Sequence, residues 1–74
     1  MNNEKSALAK LGANVRQKRT SKKISQEELA DLAGLDRTYI GGIERGERNL
    51  TVLSALKLCR PLECSLSNLM EGVT

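Results

Sequence analysis

Between Ser25 and Gly34 the chain has room for a helix of only about two turns, and that interval constrains the fold more than any other feature. Ser25-Gln26-Glu27-Glu28 fits a capping box, in which the serine hydroxyl accepts from the Glu28 amide while the Glu28 carboxylate reaches back. Glu27, Glu28 and Asp31 suit the positive end of the helix dipole. Gly34 stops the helix at a position suited to a left-handed backbone. Leu29, Ala30, Leu32 and Ala33 supply an apolar face. A helix this short does not persist alone in water, so neighbouring elements must pack against it.

Those neighbours are also helices. Leu and Ala dominate the apolar residues, Val and Ile are few, and Tyr39 is the sole aromatic, which disfavours a sandwich or barrel. A first helix is expected from about Ser6 to Ser21, with Leu8, Leu11 and Val15 on one face, and residues 1–7 as a flexible lead. Asp36 is a natural N-cap for a third helix from Arg37 to about Arg45, closed by Gly46. Thr51 caps a fourth, with Leu53, Leu56 and either Leu58 or Cys59 facing inward and an end or kink near Arg60 imposed by Pro61. A last turn or two starts at Ser65 or Ser67. The expected fold is all-α, a compact bundle of five short helices in one domain over residues 1–74.

Two short helices joined by a tight glycine turn, the second with a polar start, make a helix-turn-helix. With Gln26 as position one, Ala30 falls at position five, where a large side chain would wedge the helices apart, and Gly34 falls at nine, in the turn. Leu29, Ala33, Leu35, Ile40 and Ile43 take the apolar positions that hold the pair together. An ordinary αα-corner is the competing interpretation. The run from Gln26 to Ala30, then Gly34-Leu35, then Ile40-Gly41-Gly42-Ile43-Glu44-Arg45-Gly46 resembles the lambda-repressor-like, or Xre-type, helix-turn-helix family over roughly residues 8–70. Leu35-Asp36-Arg37-Thr38-Tyr39-Ile40 with Arg48-Asn49 resembles its restriction–modification controller branch.

The resemblance implies that the third helix enters the major groove of double-stranded DNA with its N-terminal residues towards the bases. Arg37, Thr38 and Tyr39 are then the candidates for base readout: arginine pairs with guanine, and a threonine methyl or tyrosine ring lies against thymine. Gln26, Arg45, Arg48 and Asn49 are candidates for phosphate or mixed contacts. Arg19 and Glu44 match a structural ion pair between the first and third helices. Gly41-Gly42 is unusual inside so short a helix, since each glycine costs about 1 kcal/mol relative to alanine. Lys23 and Glu63 stand where the family often has glycine, so Lys23 would need a left-handed backbone.

The net charge of +3 is unevenly spread. Residues 1–24 carry seven basic side chains against one acidic, residues 25–36 carry four acidic and no basic ones, and 37–49 carry one net positive charge. With no histidine, a Cys/His zinc site, a histidine base and a Ser-His-Asp triad are all excluded. Neither paired carboxylates nor a cleft point to an enzyme, and no metal or cofactor is expected. No apolar run approaches the roughly 18 residues that span a bilayer. With no signal-peptide core, the expected location is the cytoplasm, with Cys59 and Cys64 reduced.

One recognition helix reads few base pairs, so a homodimer on a palindromic operator is expected. Leu58, Leu62, Leu66, Leu69 and Met70 are the candidate interface, within about residues 50–74. The controller resemblance implies operators ahead of its own gene and an endonuclease gene, activation at low and repression at high occupancy, and contact with RNA polymerase. A phage-type repressor, an antitoxin, and a helical protein-interaction module without DNA binding are the alternatives.

Overall fold

A computed structural model describes residues 3–74, and the described residues form five helices and no strand. They are α1 (Asn3–Ser21), α2 (Gln26–Ala33), α3 (Arg37–Glu44), α4 (Val52–Leu62) and α5 (Leu66–Leu69). Each of the last four begins at a side-chain cap. Ser25 Oγ accepts from the Glu28 amide at 3.0 Å and Glu28 Oε1 accepts from the Ser25 amide at 2.8 Å, a complete capping box. Asp36 accepts from the Thr38 amide, Thr51 from Ser54 and Ser65 from Asn68, each at 3.0 Å. Gly34 closes α2 at φ +70°, a conformation that costs glycine little.

The caps set where helices start, and the core sets how they pack. Val15, Leu29, Ile40, Leu58 and Leu69 are wholly buried, with Ile43 at 1% exposure, so every helix contributes to one centre. Each such side chain stabilises the fold by about 1.5–3 kcal/mol relative to exposure. Gly12 lies at the closest approach of α1 to α3: a Cβ there would overlap the Ile43 carbonyl oxygen and come within 2.8 Å of that of Glu44. The buried Asn14 donates through Nδ2 to the carbonyls of Leu69 and Glu71, at 2.9 and 2.8 Å. It thereby pairs acceptors that the short α5 leaves without helical partners.

Several expectations are corrected. α1 starts at Asn3 and not near Ser6, so residues 3–7 are helical; residues 1–2 lie outside the described residues. Leu32 is 65% exposed and does not belong to the inner face of α2. In α4 the inward stripe is Ala55, Leu58 and Leu62, while Leu53 and Leu56 face outward. Both stripes have helical spacing, and the meeting with α2 and α5 selects the one that fits. α4 ends at Leu62, two residues past Arg60, with Pro61 inside its last turn. The lost i to i−4 hydrogen bond falls on the carbonyl of exposed Lys57, where water can replace it.

Lys23 and Glu63 adopt left-handed backbones, at φ +59° and +52°. Side chains at such positions crowd the following carbonyl, at a cost of about 1–2 kcal/mol. Glu63 recovers little through its ion pair with Lys22, because it is largely exposed. Lys23→Gly is therefore expected to stabilise the protein by about 0.5–1 kcal/mol, once the entropy of the unfolded glycine is counted. That corresponds to a rise of roughly 4 °C in Tm in a thermal melt. A Tm at or below that of the wild type would show that the Lys23 backbone is unstrained.

Candidate nucleic-acid interface

Asp36 caps α3 after the turn at Gly34, and the first two residues of the helix lie at the surface. Arg37 and Thr38 are exposed, and their side chains make no hydrogen bond or ion pair among the described residues. The buried side of the same helix carries Ile40 and Ile43 into the core. Arg37 and Thr38 thus stand on a helix anchored in the core, with side chains open to an external surface.

Tyr39 is placed differently from these two. It is half-buried, its hydroxyl donates to the Asn49 carbonyl at 3.0 Å, and the Arg48 guanidinium lies 5.4 Å from its ring centroid. The hydrogen bond ties the loop after α3 back onto the helix, and the ring is a platform for a cation. Thr38, Tyr39, Arg48 and Asn49 line one surface recess together with Asp36, Thr51 and Ser54. Asn49 Oδ1 accepts from the Leu50 amide at 2.9 Å, which orients its amide group.

Gln26 and Arg45 both approach α3 at Gly41. A Cβ on Gly41 would meet Arg45 Nη1 at 3.1 Å and Gln26 Oε1 at 3.6 Å. Gln26 Nε2 donates to Glu44 Oε1 at 3.1 Å, and Arg45 Nε pairs with Glu47 Oε1 at 3.0 Å on the surface. The Gln26 side chain is therefore partly turned inward.

Beneath the interface, Glu44 accepts from Arg19 Nε at 2.6 Å and from Nη2 at 3.0 Å, while Arg19 Nη1 reaches the Ile24 carbonyl at 2.9 Å. The Glu44 side chain is 4% exposed and that of Arg19 12%. Hydrogen bonding to Glu44 raises the Arg19 pKa above its usual value, against the opposing effect of burial. This bidentate pair joins the end of α1 to the end of α3, and through Gln26 to the start of α2. Gly12 and Asn14 also help to hold α3 and α5 against α1, and no local pattern in the sequence marks either of them.

The candidate dimer residues separate into two groups. Leu58, Leu62 and Leu69 lie in the chain's own core, at 0–3% exposure, and cannot meet a partner: a correction to the expected interface. Leu66 and Met70 remain at the surface, 37% and 39% exposed, together with Val52, Leu53 and Leu56 at 71%, 64% and 47%. Val52, Leu66 and Met70 help to line an apolar recess that also includes Leu8, Leu50 and Val73. Among the described residues, no helix is long and apolar enough to cross a membrane.

The helix-turn-helix (HTH_3) family profile matches residues 15–69. The chain is 45% identical over 60 residues to Control protein C.SmaI of Serratia marcescens, covering 81% of this chain and 71% of that protein. It is 42% identical over 64 residues to Control protein C.BamHI of Bacillus amyloliquefaciens, covering 85% and 79%. Among solved structures it is similar to the restriction-modification controller protein C.AhdI from Aeromonas hydrophila, with a TM-score of 0.84 and 47% identity. That match covers 86% of this chain and 97% of that one.

Proposed function

This chain belongs to the helix-turn-helix family, and from that premise we propose that it is a DNA-binding transcriptional regulator of the restriction–modification controller type. The observation that carries the reading is the start of α3, where Arg37 and Thr38 stand exposed and unengaged on a helix whose other side is locked in the core. With α3 in the major groove, Arg37 donates two hydrogen bonds to guanine O6 and N7 and the Thr38 methyl lies against a thymine methyl. Gln26 and Arg45 flank that contact and fix the register on the phosphates, while Arg48 and Asn49, in the recess beside Thr38, make mixed contacts to phosphate and base edges. The basic surplus of residues 1–24 adds attraction to the duplex without sequence content.

A second copy covers the apolar surface of Val52, Leu53, Leu56, Leu66 and Met70, and the resulting twofold dimer reads a palindromic operator. This set replaces the interface expected from the sequence and rests on the size of the exposed apolar cluster. The regulator acts in the cytoplasm on operators ahead of its own gene and an endonuclease gene. It activates at low occupancy, through contact with RNA polymerase, and represses at high occupancy.

Selection from random duplex DNA, with light scattering on the same preparation, tests both parts. The expected result is an enriched palindrome with half-sites about 34 Å apart. The expected particle is twice the 8.1 kDa of one chain. No enrichment would overturn the DNA-binding role, and a monomer at micromolar concentration would overturn the dimer.

A further inference from the structure

We propose that Gly42 is a specificity-determining residue, because the space left by its missing side chain seats Arg48 over the Tyr39 ring. The inference rests on the DNA-reading role given above and adds a cause for the second of the two glycines. A Cβ on Gly42 would overlap Arg48 Cγ and lie 3.5 Å from both Cβ and Cδ. The stem of Arg48, and not its mobile tip, thus occupies the place where a residue 42 side chain would stand. The backbone enforces the same arrangement: the Gly42 carbonyl accepts from the amides of Glu47 and Arg48, at 2.9 and 3.2 Å. The chain leaving α3 therefore folds back onto residue 42.

From that seat the Arg48 guanidinium reaches 5.4 Å from the Tyr39 centroid, and the Tyr39 hydroxyl binds the carbonyl of the next residue, Asn49. Arg48 shares a recess with Thr38, at the base-facing start of α3. A guanidinium held on an aromatic face loses less freedom when it meets DNA than one on an unsupported stem. Gly42 acts through Arg48 and is a positioning residue. It trades helix propensity for a fixed arginine, which explains a glycine that α3 does not need for any turn.

Four proteins test the idea: wild type, Gly42→Ala, Arg48→Ala and the double variant, each measured for selected-duplex affinity, base preference and Tm. Gly42→Ala is expected to weaken binding to the selected duplex by about tenfold and to relax preference at the base pairs that Arg48→Ala also relaxes. Added to Arg48→Ala, it should change affinity by less than about twofold, since the group it positions has gone. In that background the alanine has room and should raise Tm by about 4 °C through helix propensity, a gain reduced or lost when Arg48 is present. Equal effects of Gly42→Ala in both backgrounds would overturn the proposal, as would unchanged base preference in either single variant. If the wild type itself preferred no duplex, the DNA-reading role would fall, and the Tm comparison would still report whether Arg48 occupies the seat.

Discussion

Gly12→Ala is expected to destabilise the protein by about 2–4 kcal/mol, although alanine is the better helix former. The new methyl group would meet the carbonyl oxygens of Ile43 and Glu44 at the end of α3. Backbone atoms within a helix cannot step aside singly, so α1 and α3 must move apart. That separation opens the contact around Val15, Ile40 and Ile43, all at 0–1% exposure. A chain of this size has a total stability of about 4–11 kcal/mol, so the loss is a large fraction of it. A thermal melt should show Tm lowered by roughly 10–20 °C. Ala13→Gly, on the exposed side of the same turn, should cost only about 1 kcal/mol. Equal and small effects of the two changes would show that α1 and α3 are not in backbone contact at Gly12.

Glu44→Ala is expected to cost about 3 kcal/mol, because it strands a guanidinium that is only 12% exposed. Arg19 would keep its bond to the Ile24 carbonyl but lose both carboxylate oxygens, and Gln26 would lose its acceptor. Since the pair holds α3 against α1 and α2, DNA affinity should fall together with stability. The double variant Arg19→Ala/Glu44→Ala should lose clearly less than the sum of the two single changes, because neither charge is then left buried without its partner. Denaturant titration of the four proteins measures this coupling directly. Strict additivity would mean that the pair contributes nothing beyond its two side chains.

These two sites differ in how far the sequence reveals them. Ser25, Glu28, Gly34 and Asp36 act within a few residues of themselves, so the helix starts and the α2–α3 turn are legible from local chemistry. The burial of Leu29, Ile40 and Ile43 follows from the same register. Gly12 and Asn14 act on partners in α3 and at and just beyond the end of α5, and nothing near them in the chain marks those partners. In α4, apolar residues stand on nearly every side, and only packing against α2 and α5 decides that Ala55, Leu58 and Leu62 turn inward. The outward placement of Leu53 and Leu56, and the burial of three expected interface leucines, follow from that one rotation. At the reading edge the exposed start of α3 was legible, whereas the seating of Arg48 on Gly42 depends on a return of the loop that no periodicity encodes.

The most direct test of sequence reading by α3 compares the base preferences of the wild type and Arg37→Ala on the duplex selected by the wild type. Systematic replacement of each base pair should locate one position per half-site at which the variant has lost about 1–3 kcal/mol of discrimination. Preference at the remaining positions should persist, because Thr38 and the recess beside it are untouched. An unchanged pattern of preference in Arg37→Ala would contradict base readout from the start of α3.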